Sequence, residues 1–507
     1  MATTNTALRF EPSRIEAYAI AAVLGLFGLV VVVQVLPQIL MIRLIASQHY
    51  SEGWNAFHAL SAFSSSPLYP NPTELVTNNY PPTSFYIVGA LGFVTGDLVV
   101  AGRIVCLLAY CVCGLNIGLV LWRLTASHFA VIFGTLFFFG YTATFFDAFT
   151  ASNDPQWLAY AFMTSGLLLF ISSPRKPSRL VLATVLIFLA GMTKHSLILL
   201  PLAITIWLLA IRAKRELLIW LATSGALLSV SFLVLFIFYG SAFFYDVIGY
   251  EAHRSYSWDK TVRTIGWYLP RFAAPIIACV FWSIIDRRCY SRLISVYAFL
   301  SIGFGFYSIG GYGIHYNCFF DMVIALSLVS GLLVDAIVRR SDGLHVEANR
   351  NSRARAGFLP LMVVLAISAP VFASSNKGIV KLDRRLASFS SLAASSQKDI
   401  DYLSAIRGPV MCENLALCYW SKKDFQVDYF NAGLKIGSGL ISPEPLLNRI
   451  NNRFYSAIQI ESVSIPVHPL RLPESVVKAI LDNYSVTYRS RTSGFVLTPN
   501  IAVEETN

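Results

Sequence analysis

The sequence predicts an α-helical polytopic membrane protein that carries a small α/β domain at its C-terminal end. Of the 507 residues, 55% are hydrophobic and only 13% are charged, whereas soluble domains contain about 25% charged residues. Long apolar runs recur up to residue 373, and from about Ser374 the composition turns polar. These observations predict two domains, a transmembrane domain at 1–373 and a soluble domain at 374–507.

Eleven apolar runs are predicted to cross the membrane as helices. A hydrocarbon core of about 30 Å requires about 20 helical residues, and helices satisfy their own backbone hydrogen bonds. Two runs are short and are separated only by 193–195, so one bent or re-entrant element is an alternative and the count holds to within one or two. The predicted spans are 17–45, 98–122, 128–146, 156–171, 180–192, 196–211, 217–239, 269–285, 293–309, 318–338 and 356–373.

The distribution of basic residues predicts the orientation in the membrane. With a cytoplasmic N-terminus, fifteen Lys and Arg residues fall in cytoplasmic loops and four in the opposite loops. This bias follows the positive-inside rule and accounts for the net charge of +11 without nucleic acid. We expect a multi-pass protein of the cytoplasmic (inner) membrane with an extracytoplasmic C-terminal domain. The fifteen are Arg123, Arg175, Lys176, Arg179, Arg212, Lys214, Arg215, Arg287, Arg288, Arg292, Arg339, Arg340, Arg350, Arg353 and Arg355.

The first extracytoplasmic loop contains the start of a short helix. Pro81 and Pro82 precede an apolar run that ends at Thr95, and proline favours the first turn of a helix. The run of about 13 residues is too short to span a membrane, so we expect an interfacial helix. In the C-terminal domain, the alternating stretches 409–412 and 495–498 predict strands.

Two acidic residues stand in the first two extracytoplasmic loops. Glu52 follows the first span in the motif at 51–55, and Asp154 lies in the motif at 153–156. A carboxylate at the membrane boundary can act as a general base. The structural alternatives are a solvated loop acid for Glu52 and a helix N-cap for Asp154. Their position on the same side of the membrane favours a shared site.

Lys194 and His195 interrupt apolar sequence, where ionisable residues are costly and usually functional. A cation there suits an anionic substrate such as a phosphate, although a lysine at a helix end can also snorkel to the interface. A glycine-rich loop at 310–317 contains His315. Its backbone N–H groups can cradle an anion, or the segment is only a tight loop and His315 an interfacial residue.

Cys412 and Cys418 lie close together in the predicted extracytoplasmic domain. An oxidising compartment favours a disulfide between them. A metal site is the weaker alternative, because no second pair of ligands is nearby.

The order of these features resembles the GT-C superfamily of membrane glycosyltransferases. The nearest resemblance is to bacterial relatives of the protein O-mannosyltransferases and of the lipid A sugar transferases, and it covers roughly the first 340 residues. The motifs that carry it are Glu52-Gly53-Trp54-Asn55, Asn79-Tyr80-Pro81-Pro82, Asn153-Asp154-Pro155-Gln156 and Lys194-His195.

The resemblance implies transfer of a hexose or pentose, with inversion, from a polyprenyl-phosphate-linked donor to an envelope glycan, lipid or protein. It assigns the catalytic carboxylates to Glu52 and Asp154. Many relatives carry Asp, or an Asp-Glu pair, at the position of Glu52. Here the preceding residue is Ser51, so a two-acid site in the first loop is not available, which counts against metal binding there. Two alternatives stay open for Asp154, which are to orient an acceptor or to hold a divalent cation. The residues expected to bind substrate are Asn55, Tyr80, Asn153, Gln156, Lys194, His195 and His315.

The resulting hypothesis is a single displacement. Glu52 removes a proton from the acceptor hydroxyl, and Lys194 and His195 are the candidates that stabilise the departing lipid phosphate. A transporter or lipid-linked sugar flippase is the first alternative, and it predicts ionisable residues near mid-membrane. A scaffold protein is the second alternative, and it predicts that Glu52, Asp154 and Lys194 are dispersed in space.

Overall fold

The computed structural model of the chain describes residues 14–173, 176–286, 288–344, 359–463 and 471–500. Its first part is a bundle of helices, as the apolar runs predict. The arginines of the basic loops that lie outside the described residues are Arg175, Arg287, Arg350, Arg353 and Arg355. The helices are α1 (Arg14–Leu40), α2 (Ser51–Ser61), α3 (Thr83–Thr95), α4 (Leu98–Thr125), α5 (His128–Phe145), α6 (Gln156–Ser172), α7 (Pro177–Thr193), α8 (Leu199–Ala210), α9 (Lys214–Phe244), α10 (Trp258–Ile285), α11 (Cys289–Ser308) and α12 (Phe320–Leu344).

The polytopic helical architecture is confirmed. Within the described residues, seven helices are long and apolar enough to cross a membrane. Shorter apolar helices accompany them, among them α6, α7 and α8. The predicted count of eleven spans stays a prediction. The chain breaks around 193–195 as predicted, since α7 ends at Thr193 and α8 begins at Leu199.

The centre of the bundle is α12, whose most apolar stretch is 89% buried within the protein. It packs closely against α5 because glycines on both helices leave room for the backbones to approach. A Cβ atom on Gly331 would lie 2.8 Å from the carbonyl oxygen of Ala130, and one on Gly134 would lie 2.9 Å from that of Ser327. Small residues at such contacts are typical of helix packing in lipid, where van der Waals contact drives association.

The helix α9 lies at the periphery, with only 6% of its most apolar stretch buried. Apolar side chains such as Leu228, Phe232 and Phe238 are exposed along it, as expected of a helix in contact with lipid acyl chains. The predicted span 269–285 starts later than the helix that contains it, since α10 begins at Trp258, capped by the Ser257 hydroxyl.

The helix α3 begins directly after Pro82 and ends at Gly96, which adopts φ 72°. This left-handed conformation suits glycine and terminates the helix. The predicted short helix is therefore present. It packs between α2 and α4, at the end of the bundle that faces the C-terminal domain, hereafter the domain end.

The C-terminal part forms a small α/β domain, as predicted. Its mixed sheet has the order β1-β2-β4-β3, with β1 and β2 parallel and the other neighbours antiparallel. A single helix passes through the domain boundary predicted at 373/374 and links the bundle to the sheet. The elements are α13 (Leu359–Ala405), β1 (Val410–Cys412), α14 (Leu415–Trp420), α15 (Tyr429–Gly437), α16 (Glu444–Asn451), β2 (Ala457–Ile460), α17 (Glu474–Asn483), β3 (Tyr484–Arg489) and β4 (Phe495–Pro499).

The domain is bound tightly to the domain end through α14. Gly53 in α2 lies so close that a Cβ atom there would be 2.1 Å from the backbone nitrogen of Ala416. The Trp420 indole donates to Asp97 at 2.9 Å, and the Leu98 amide donates to the Tyr419 hydroxyl at 2.9 Å. The soluble domain is therefore fixed against α2 and the start of α4.

Cys412 and Cys418 form a disulfide that joins β1 to α14. A cross-link that closes a loop of this length stabilises a domain by about 2 kcal/mol through the unfolded state. We expect the double variant Cys412→Ser with Cys418→Ser to lower the Tm of the purified protein by several degrees. The matched control is Cys111→Ser, which removes an exposed free cysteine and should leave the Tm unchanged. Equal Tm values for the double variant and the wild type would contradict the expectation.

Candidate active site

A cavity of about 1060 Å³ lies between the domain end of the bundle and the C-terminal domain. Most of the predicted site residues line it. Three do not, because Glu52, Asn55 and Asn153 are buried behind its wall. The predicted residues that line the cavity are Tyr80, Asp154, Gln156, Lys194, His195 and His315.

The Glu52 carboxylate is bound to Arg103 and has no exposed surface. The Nε of Arg103 donates to Oε1 and its NH2 group donates to Oε2, both at 2.7 Å, and both side chains are 0% exposed. The Gln48 amide donates to Oε2 at 2.7 Å and the Asn153 amide to Oε1 at 3.0 Å. A general base must reach the proton that it removes. The geometry therefore does not support the predicted base role of Glu52.

Arg103 also holds the turn that follows α1. Its guanidinium donates to the carbonyl oxygens of Leu44 at 2.7 Å and Ala46 at 2.6 Å, and further to those of Met41 and Ile42. Five N–H donors in a planar fork suit this task, which lysine cannot perform. The sequence did contain a signal for Arg103, since a charged residue within an apolar span is a functional candidate by default.

The Glu52 cluster fixes the position of the second loop. The Asn153 side-chain amide donates to the Glu52 carbonyl at 3.1 Å, and the Asn55 side-chain amide donates to the Asn153 carbonyl at 2.8 Å. A Cβ atom on Gly102 would collide with the Asn153 side chain. Asn55 and Asn153 therefore act as links between α2, α4 and the loop, and they place the next residue, Asp154, in the cavity wall.

Asp154 lines the cavity and lies two residues before the start of α6. Its Oδ1 accepts the hydrogen bond of the Gln156 backbone N–H at 2.9 Å, although Pro155 holds the N-cap position of α6. In the described part of the chain, no other protein group donates a hydrogen bond to this carboxylate. Its Oδ2 is therefore free to contact a molecule in the cavity. The side chain lines the cavity although the residue is only 6% exposed.

Lys194 lies in the gap between α7 and α8 and lines the same cavity as Asp154. Its Nζ donates to the Tyr80 hydroxyl at 3.4 Å and lies 4.7 Å from the centre of the Tyr80 ring. Burial lowers the pKa of Lys194, but the Tyr80 hydroxyl and the Asp154 carboxylate outweigh this and raise the pKa overall. The lysine is therefore a cation at neutral pH, available to an anion in the cavity.

The Tyr80 segment is held by a further ion pair. Glu251 accepts from the Asn79 side-chain amide at 2.7 Å and from Arg254 at 2.6 Å. His195 and His315 are exposed and also line the cavity. The structure thus brings together residues from five separate segments of the chain, as the predicted shared site requires.

The C-terminal domain supplies one wall of the cavity, which the sequence did not indicate. Asp428 accepts from the Trp54 indole at 2.8 Å and lines the cavity together with Phe430 and Arg471. The Arg471 guanidinium lies 4.2 Å from the centre of the Tyr50 ring. Burial raises the pKa of the Asp428 carboxyl to about 6. The two domains therefore form the site jointly.

The described residues do not form a metal site. Among them, no group of three or more His, Cys, Asp and Glu side chains is placed to hold an ion. The Asp154 carboxylate interacts electrostatically with the Lys194 ammonium, which lines the same cavity. A divalent cation at Asp154 stays an open alternative.

Comparisons with known proteins bear on the fold. No protein-family model and no curated protein matches the chain. Crystal structures of ArnT from Cupriavidus metallidurans, bound to undecaprenyl phosphate and in the apo state, align with TM-scores of 0.60 at 13% and 12% identity. They cover 94% and 93% of this chain and 98% and 97% of their own. The Archaeoglobus fulgidus oligosaccharyltransferase, in complex with Zn and sulfate, aligns with a TM-score of 0.50 at 12% identity, over 94% of this chain and 73% of its own.

Both neighbours are GT-C superfamily membrane glycosyltransferases. The chain has the GT-C fold. The resemblance drawn from the four motifs is thereby confirmed for the architecture, and the alignment extends beyond those motifs into the C-terminal domain. Within this fold the cavity lies between the domain end of the bundle and the sheet domain, and Asp154 and Lys194 line it.

Proposed function

We propose that the protein is a glycosyltransferase that moves a sugar from a polyprenyl-phosphate-linked donor to an acceptor on the extracytoplasmic face of the membrane. The observation that carries the proposal is that one large cavity is lined both by a carboxylate with a free oxygen, Asp154, and by a buried ammonium, Lys194, which interact electrostatically. The proposal is also supported by a structural neighbour, ArnT, which has been crystallised with undecaprenyl phosphate.

In the proposed mechanism the base is Asp154 and not Glu52. The free Oδ2 of Asp154 takes the proton of the acceptor hydroxyl, and the acceptor oxygen attacks the anomeric carbon. The bond between that carbon and the phosphate oxygen breaks, and the electron pair leaves with the polyprenyl phosphate. Lys194, held by Tyr80, stabilises the charge of the departing phosphate. Attack opposite the leaving group makes the reaction inverting.

In this mechanism Glu52 and Arg103 are positioning residues. They fix the turn after α1 and the loop at 153–155, so that Asp154 and the first outer loop keep their relative position. Such support matters because a displacement of about 1 Å at the reacting atoms can cost about 100-fold in rate.

The proposal is tested with purified protein and a panel of polyprenyl-phosphate-linked pentoses and hexoses. Crude envelope glycan, lipid and protein fractions serve as acceptors, and mass spectrometry follows the release of free polyprenyl phosphate. We expect release that requires both the protein and one acceptor fraction. Movement of intact donor between the leaflets of a vesicle, without release, would support the flippase alternative instead.

We expect Lys194→Met to lower kcat/KM for the donor by about 10- to 100-fold, since a hydrogen bond to a charged group contributes about 1.5–3 kcal/mol. Lys194→Arg should recover part of this loss because it keeps the charge. The matched control is Lys214→Met, at an exposed position outside the cavity. Steady-state kinetics of polyprenyl phosphate release measure the effect, and equal kcat/KM in the Met variant and the wild type would remove Lys194 from the mechanism.

A further inference from the structure

His49 lines the same cavity as the proposed base, Asp154, and interacts electrostatically with it. It lies in the turn between α1 and α2. Its Nδ1 is 2.7 Å from the Ser51 hydroxyl, and the Ser51 backbone N–H donates to the same nitrogen at 3.3 Å. The imidazole packs against the rings of Phe149 and His315, with centroid distances of 5.1 and 5.6 Å.

These contacts determine which nitrogen carries the proton. A backbone N–H is always a donor, so the Nδ1 of His49 must be the acceptor in its contact with Ser51. In a neutral imidazole the other nitrogen then carries the hydrogen. With Nδ1 occupied by Ser51, Nε2–H is the group that His49 offers to a molecule in the cavity.

The surroundings favour this neutral form. Burial lowers the pKa of His49, although the carboxylates of Asp154 and Glu52 act in the opposite direction. A protonated ring would lose its Nδ1 contact with the Ser51 amide. It would also form an ion pair with Asp154 and weaken it as a base. The charged and titratable groups that face the ring are Glu52, Asp154, Lys194, His315 and Arg471.

We propose that His49 is a substrate-binding residue whose Nε2–H donates a hydrogen bond to an oxygen of the sugar-phosphate donor, and that it is not a base. This inference rests on the proposed function and adds a second, uncharged donor to the Lys194 ammonium. A neutral imidazole is suited to the place because it contacts the substrate and leaves Asp154 ionised. Ser51 is the positioning residue that selects its tautomer.

Kinetics of three variants test the inference. We expect His49→Ala to lower kcat/KM for the donor about 10-fold, as for a lost hydrogen bond. His49→Gln should stay within about threefold of the wild type, because its amide can supply an N–H near the position of Nε2. The control is His253→Gln, at an exposed site outside the cavity. If Gln is as damaging as Ala and the acid limb of the pH–rate profile disappears, His49 acts as a base and the inference is wrong.

The tautomer can be measured without turnover. Protein labelled with ¹⁵N-histidine should show, at pH 7, one Nε2–H imidazole signal that is missing from the His49→Gln spectrum. Ser51→Asp should convert that signal to the Nδ1–H or doubly protonated form, because a carboxylate accepts from Nδ1. A wild-type His49 that is already Nδ1–H or doubly protonated would overturn the inference.

The two proposals fail in distinguishable ways. A wild type that releases no polyprenyl phosphate from any donor removes the proposed function and this inference with it. An active wild type whose His49→Ala variant has unchanged kcat/KM removes the inference alone and leaves the function in place.

Discussion

Replacing Glu52 by Met is expected to deplete the folded protein and to abolish turnover for that reason. The change leaves the Arg103 guanidinium without a counter-ion in a place where both side chains are 0% exposed. Removal of one partner from a buried ion pair costs about 3–5 kcal/mol, which is a large fraction of the stability of most proteins. Size-exclusion chromatography and thermal unfolding in detergent should show less monodisperse protein and a lower Tm.

The double variant Glu52→Met with Arg103→Met separates a structural role from a catalytic one. If Glu52 acts only through Arg103, the double variant is more stable than either single variant and regains part of the turnover, since Asp154 is intact. The matched control is Asp259→Met, which breaks an ion pair with both side chains more than 70% exposed and should change stability by less than about 1 kcal/mol. A double variant with the wild-type Tm and no turnover, when Arg103→Met alone keeps its turnover, would return Glu52 to the role of base.

The architecture of the bundle could be predicted because its physical cause is local. Backbone groups in lipid must be satisfied within each segment, so an apolar run of sufficient length reads directly as a helix. The same reasoning found the short helix after Pro82 and the break at Lys194. The predicted span starts at residue 269, whereas the helix α10 that contains it begins at Trp258.

The arrangement of the site could be predicted only in part, because its contacts join distant segments. The sequence placed Asp154 and Lys194 on one side of the membrane, and the cavity brings them together. It could not show that Glu52 is bound by Arg103, 51 residues away. The contact of Trp54 with Asp428 spans 374 residues, and no local pattern indicates such a pairing.

Ser51 is a second example, because its contacts could not be predicted from the sequence. Read as sequence, Ser51 marks the absence of a second acid in the first loop. In the structure its amide and hydroxyl contact Nδ1 of His49, which stands two residues earlier. The turn after α1, held by Arg103, brings these groups together. The arrangement of His49 and Ser51 therefore depends on the buried guanidinium of Arg103, which lies in another helix.

Replacing Asp154 by Asn is expected to lower kcat about 10²- to 10⁴-fold, the range that a general base contributes. The variant keeps an oxygen that can accept the Gln156 amide, so this contact at the start of α6 and the fold are preserved. It lacks only the capacity to accept a proton at neutral pH. Donor affinity, measured by titration with a polyprenyl-phosphate sugar, should remain within about threefold because Lys194 is unchanged.

The control for Asp154→Asn is Asp424→Asn, an exposed aspartate of the C-terminal domain outside the cavity. Single-turnover release of polyprenyl phosphate isolates the chemical step from product release. Loss of this step in Asp154→Asn, with wild-type Tm and donor affinity, would identify the proton acceptor. An Asp154→Asn variant with wild-type single-turnover rates would instead mean that the acceptor proton leaves by another route. The carboxylate would then serve only to accept the Gln156 amide at the start of α6.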